Sequence, residues 1–291
     1  MTFLQSLSVA QWIALFLMSL GVLYAVWLLA LAVREREAFL AEKGSLPGLC
    51  VFEALVYFFA TIGMSDFLPN TLLIKYRKLM DDKTLPGTLI AAALVPGAVI
   101  AFFLLQVEQS IQMKTLIPCC IAITAGAAAG AKLVGRIDGK KIKKIMGIAL
   151  IFSMAAIITR MVLDRGTSGE LTGLEMPKLL LAIVFSFLWG GINMLGVPMK
   201  AAGSAMFLLL GIAPLSTLTL VLVMGCIGPM GGGIAIIRER RYHRKMACAS
   251  VICGSAGAAA GSMLAISVPP LALNILLLGV LLIAIVTMLK D

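Results

Sequence analysis

The sequence predicts an all-α integral membrane protein. A unit of one broken-helix hairpin plus three transmembrane helices occurs twice, in inverted topology, after one extra N-terminal helix. Three observations predict this. Of the 291 residues, 61% are hydrophobic and only 13% charged, far from the balance of a soluble domain. Two long apolar segments are each interrupted by glycine, proline and a charged side chain: residues 61–70 (TIGMSDFLPN) and 189–200 (WGGINMLGVPMK). The chain also repeats itself: residues 125–133 read AGAAAGAKL and residues 256–264 read AGAAAGSML, an offset of 131. Pro69 and Pro198 end the two breaks at nearly the same offset, and Pro96 and Pro229 lie inside corresponding helices. The expected organisation is an extra helix at 1–45, a first repeat at 46–165 and a second at 166–291.

A crossing needs about 20 apolar residues. The first apolar run, 8–33, ends at Arg34-Glu35-Arg36-Glu37 and is preceded by no Lys or Arg. It therefore lacks the basic start of a cleavable signal peptide and is expected to be a retained helix with its N-terminus outside. A broken segment follows at 48–75, then spans at about 86–107, 113–135 and 142–162. After a mixed-charge connection, a second broken segment covers 177–213, with spans at about 214–237, 244–266 and 269–289.

The net charge is +10, yet 14 of the 24 Lys and Arg fall in three short loops, at 75–83, 136–144 and 238–245. Such clustering orients a membrane protein and argues against nucleic acid as the partner. Placing all three loops in the cytoplasm gives equivalent loops of the two halves opposite signals, so the halves run inverted. That layout requires each broken segment to enter and leave on one side, the first hairpin from the cytoplasm and the second from outside. The C-terminus is then cytoplasmic.

A charge at a helix centre costs about 2.5–3.5 kcal/mol even on a mild scale, which makes it a functional candidate. Asp66 and Lys200 are the two charges expected near the hairpin tips. Proline suits the first turn of a helix, so half-helices start near Pro69 and Pro198 and aim their N-termini at the midplane, a geometry that favours an anion. The candidate substrate-binding residues are Lys200, Asn193, Ser65, Asn70, Thr71 and Ser204, with Gly190, Gly191 and Gly196 allowing close approach of backbone amides, as Gly63 also does. Asp66 is the candidate for proton coupling or for pairing with Lys200; its other role is to cap the adjacent half-helix. Glu53 is expected at the interface, Lys132 to snorkel, and His243 to be solvated in its basic loop. The two AGAAAG runs read as small-residue faces for close helix packing.

No phosphate-binding loop or HExxH site occurs. The six cysteines lack zinc-ligand spacing and read as small buried hydrophobes. No enzyme activity, cofactor or metal is expected.

The duplicated plan, the glycine-rich break ending in proline (Gly190-Gly191…Gly196-Val197-Pro198) and the small-residue helices at 126–130 and 257–261 together resemble the sulfite exporter TauE/SafE family of permeases. The resemblance covers about residues 46–290. It departs in the first half, where members often carry a GxGGG-like run and this chain has Ile62-Gly63-Met64-Ser65-Asp66. It implies transport of small sulfur-containing or organic anions, such as sulfite or sulfonates, across a bacterial inner (plasma) membrane. The expected activity is secondary active transport by alternating access, coupled to protons. A passive anion channel and a non-transporting membrane scaffold are the alternatives.

Overall fold

A computed structural model describes residues 8–61, 64–108, 110–134, 155, 170–196 and 200–264. The predicted span at 269–289, that at 142–162 apart from residue 155, and the basic loop at 136–144 lie outside the described residues, as do Gly63 and Pro198.

Ten helices are described: α1 (Val9–Arg34), α2 (Arg36–Ala41), α3 (Leu46–Ala60), α4 (Phe67–Arg77), α5 (Leu85–Val107), α6 (Met113–Val134), α7 (Lys178–Asn193), α8 (Lys200–Leu209), α9 (Pro214–Arg238) and α10 (Arg244–Leu264). Five of them, α1, α5, α6, α9 and α10, are long and apolar enough to cross a membrane. Helix α1 begins in a capping box, in which the Ser8 hydroxyl takes the Gln11 amide while the Gln11 side chain takes the Ser8 amide. Its buried residues Ala10, Ala14, Leu17, Gly21, Tyr24, Leu28 and Leu31 recur every three or four positions, one helical face. The opposite face exposes Trp12, Phe16, Leu23 and Val26, as a lipid-facing stripe would.

Helices α5 and α9 pack together at the centre, with α1 against α5, α6 against α7 and α9, and α10 against α3 and α5. The two AGAAAG runs make the closest of these approaches. A Cβ added at Gly126 would overlap the Phe187 carbonyl oxygen of α7, and one at Gly257 would overlap the Ala54 carbonyl oxygen of α3. Each run thus seats its helix against the first limb of a broken segment, in keeping with their reading as packing faces.

Both broken segments turn back on themselves. Lys43, just before α3, places its Nζ 3.5 Å from the carbonyl oxygen of Lys78, just after α4. At the second break, Lys178 Nζ donates to the carbonyl of Leu210 at 3.0 Å, joining the start of α7 to the residue after α8. Near the turn, a Cβ at Gly203 of α8 would strike the Trp189 ring of α7.

The two mouths lie at opposite ends of α5, whose 23 residues span about 34 Å. At its first end, Thr88 Oγ1 accepts from the His243 amide at 2.9 Å. Here too Glu42, just before α3, accepts from the Arg244 and Lys245 amides at 2.9 and 2.8 Å, a carboxylate at the α10 N-terminus. Glu35 pairs with Arg244 at 2.7 Å and also with Arg240. At the other end of α5, Gln106 meets Gln11 at 3.3 Å. That end is continuous with residues 171–178: the Gln112 amide donates to the Thr172 carbonyl at 3.0 Å, and the Leu174 amide to Thr115 Oγ1 at 2.8 Å.

His243 corrects its sequence reading. It is 3% exposed, because its backbone is tied to Thr88 and its Nδ1 accepts the Met246 amide at 3.2 Å, capping α10. Lys132 is exposed. The cysteines carry no disulfide among the described residues, and Cys119, Cys120, Cys226 and Cys248 are buried.

Candidate functional site

Both hairpins put a charge where the chain reverses. Asp66 is the residue preceding α4, and Lys200 is the first residue of α8. The two tips meet: Lys200 Nζ lies 2.5 Å from Asp66 Oδ1, a charge-assisted contact. Asp66 makes no side-chain cap of α4. Its second oxygen, Oδ2, accepts from the Tyr57 hydroxyl at 3.3 Å. Asp66 is 2% exposed and the Lys200 side chain 17%, so the pair sits inside the protein. Gly225 of α9 faces the lysine stem, since a Cβ there would stand 3.5 Å from Lys200 Cε.

Around the pair is a cavity of about 20 Å³ lined by Tyr57, Ser65, Asp66, Trp189, Asn193, Lys200, Gly225 and Cys226, with apolar walls from α5 and α9. That volume suits about one water-sized occupant. Residues from both hairpins and from both central helices converge here.

The candidate residues divide by place. Lys200, Asn193, Ser65 and Asp66 line the cavity. Gly190 and Gly191 face α6 instead: a Cβ at Gly190 would overlap the Ile123 carbonyl oxygen, and one at Gly191 would sit 3.5 Å from that of Gly126. Gly196 adopts φ +80° at the second break, a left-handed conformation that glycine takes without strain. Its amide donates to the Asn193 carbonyl at 2.9 Å, closing the turn that carries Asn193. Asn70 and Thr71 are buried on α4, while Ser204 is half-buried on α8; none of the three lines the cavity.

Glu53 is not interfacial: it is 0% exposed. The reason is that α3 is one limb of a hairpin covered by α10, so distance along the chain from a segment end does not measure depth. Tyr57, Trp189 and Cys226 were absent from the sequence candidates. Tyr57 was findable, since Glu53 and Tyr57 lie four residues apart on an apolar helix and therefore share a face. Asp66 and Asn70 have the same spacing across the first tip.

No protein-family model, characterised protein or solved structure matches this chain.

Proposed function

We propose that the protein is a secondary active transporter of a small anion, coupled to protons, working by alternating access around the two hairpin tips. The observation that carries this reading is the buried Asp66–Lys200 pair, one partner from each hairpin, at a cavity between α5 and α9. A cation at the N-terminus of a half-helix is an anion site whose charge is here satisfied by an internal carboxylate. An incoming anion competes with Asp66 for Lys200, and a proton on Asp66 releases the lysine to it. Proton and anion binding then reinforce each other, which is the linkage a coupled carrier needs. The cavity's size favours a carrier over an open channel, because an anion of several heavy atoms enters only when the tips part.

An inverted duplication of the TauE/SafE type accounts for the arrangement. Exchanging the halves maps α3–α4 onto α7–α8, α5 onto α9, and α6 onto α10. It also maps the α6–α7 contact onto the α10–α3 contact, both of which are made by AGAAAG glycines. In a membrane, irregular backbone at the tips is tolerable because it is enclosed by protein, and the two mouths open to opposite sides. The resemblance directs the substrate proposal to sulfite, sulfonates and related organic acids, in a bacterial inner membrane with the basic end cytoplasmic.

Thermal unfolding of the purified protein with sulfite, thiosulfate, sulfonates and carboxylates tests this reading. Saturation a hundredfold above the dissociation constant stabilises a binder by about 2.7 kcal/mol. Wild type is expected to show such a shift with one anion class and Lys200→Ala to lose it. The increment within each protein is the quantity compared, because Lys200→Ala also leaves Asp66 unpaired. An equal shift in both proteins removes Lys200 from the site, and no shift with any anion overturns the proposal.

A further inference from the structure

Next to the Asp66–Lys200 pair is a second polar cluster that the anion site does not use. Glu53 of α3 is fully buried, and neither carboxylate oxygen has a hydrogen-bond partner. Asn70 of α4 is 1% exposed, and both Nδ2 and Oδ1 are likewise unpartnered. The two side chains are neighbours, with Ser250 and Asp66 also beside Glu53. The Ser250 hydroxyl is committed elsewhere, donating to the Ala92 carbonyl at 2.6 Å. Ser250 opens a π-helical turn, Ser250–Gly254, within α10. Such turns recur at functional sites, and this one brings Gly254 against the Tyr57 ring.

Charge and hydrogen bonding agree on what this cluster holds. Lys200 is already engaged by Asp66, so an ionised Glu53 would be a second, uncompensated negative charge. Burying one costs several kcal/mol. The carboxylic acid carries no charge and gains a donor. A primary amide complements it: the acid O–H donates to Asn70 Oδ1, and Asn70 Nδ2 donates to the acid carbonyl. Rotations of the two side chains then satisfy all four unpartnered atoms. The titratable and charged groups around Glu53 are Tyr57 and Cys50 on its own helix, Asp66 just before α4, Cys253 of α10 beside Cys50 and, beyond Asp66, Lys200 on α8. Helix α5 contributes the Ala92 carbonyl and Pro96.

We propose that Glu53, paired with the Asn70 amide, is a buried proton-binding site, and that it is the waypoint through which the coupling proton reaches the neighbouring Asp66 of the Asp66–Lys200 pair. The proton comes from and returns to bulk water, converting carboxylate to acid and back. Tyr57, whose hydroxyl reaches Asp66 Oδ2, lies near both carboxyl groups. The coupling role rests on the transporter reading; proton binding at Glu53 does not.

Infrared spectroscopy of the full chain in lipid vesicles, over a pH series in H2O and D2O, tests the site. A carboxylic-acid carbonyl band is expected at neutral pH, absent in Glu53→Gln and retained in Asp66→Asn. Asn70→Leu is expected to shift that band, a readout that survives if Glu53→Gln fails to fold. Identical carboxyl bands in wild type and Glu53→Gln overturn the proposal. So does loss of the band on adding sodium but not choline chloride, which assigns the site to a metal cation. For coupling, sulfite is the probe in vesicles with an imposed pH gradient. Glu53→Gln is expected to lose accumulation, reaching a ratio of about one, while still exchanging sulfite across the membrane. Accumulation equal to wild type overturns the coupling role. Wild type that moves no anion refutes the transporter reading for the probe, and the infrared result still decides Glu53.

Discussion

At Nδ1, His243 accepts the Met246 amide proton, which requires a lone pair there and so a neutral ring. Burial holds its pKa below the ordinary value, opposed in part by Glu42 3.3 Å away. The unfolded chain therefore binds a proton at His243 more readily than the folded one does, so stability rises with pH through this window. As pH falls below the unfolded value of about 6.5, the group removes up to about 1.4 kcal/mol per pH unit until the folded ring also protonates. Melting temperatures measured between pH 7.5 and 5 are expected to fall in wild type and to fall less in His243→Gln; parallel curves contradict a neutral, buried ring. Context explains why this histidine reads as solvated: its sequence neighbours are basic, and contacts remote in sequence, with Thr88 and Glu42, hold it inside. Asp66 and Lys200 are legible because a charge in an apolar segment is conspicuous by its cost. Their pairing is one of the roles the sequence offers for Asp66, and the two side chains do meet; the depth of Glu53 is a tertiary fact.

Helix α7 offers a direct comparison between adjacent glycines. Alanine at Gly190 would drive a methyl into the Ile123 backbone carbonyl, whereas at Gly191 the nearest atom is an ordinary 3.5 Å away. Alanine also favours the helix by about 1 kcal/mol over glycine. Gly190→Ala is thus expected to lower stability by about 1–3 kcal/mol, while Gly191→Ala stays within about 1 kcal/mol of wild type or above it. Equal losses at both positions contradict the α6–α7 register. The AGAAAG runs announce a close-packing face, because small residues recur at helical spacing. Which helix each face meets is beyond local reading, since periodicity defines a side and not a neighbour. Among the described residues the limits of the long helices are legible, with α5 expected at 86–107 and observed at Leu85–Val107, while the short α2 has no counterpart in the sequence reading. The π turn of α10 leaves no comparable mark in the sequence.

At the scale of the whole molecule, the basic segments flanking α4 and α9 lie at one end of α5, and residues 171–178 lie at the other. Single cysteines placed at Lys83 and Arg241 in intact cells are expected to react with an impermeant thiol reagent from the same side, and one at Glu175 from the opposite side. Labelling of Arg241 and Glu175 from one side contradicts the fold. Charge clustering makes this polarity legible, because loops must sit in water and cations mark one face. The reversal of each broken segment follows only by reconciling those loops.

Helix α1 stands outside the twofold plan proposed above. Gly21 lies against Ala98 of α5, where a Cβ would be 2.6 Å from the alanine methyl, and the Tyr24 hydroxyl donates to the Met230 carbonyl of α9 at 2.7 Å. In a bare duplicated carrier, the inward-open and outward-open forms are near-degenerate, because swapping the halves interconverts them. A single strap across one flank lifts that degeneracy, and every 1.4 kcal/mol of difference is tenfold in population. On the carrier reading proposed above, the resting protein would wait facing one compartment, poised by an element that lies outside the lining of the Asp66–Lys200 cavity.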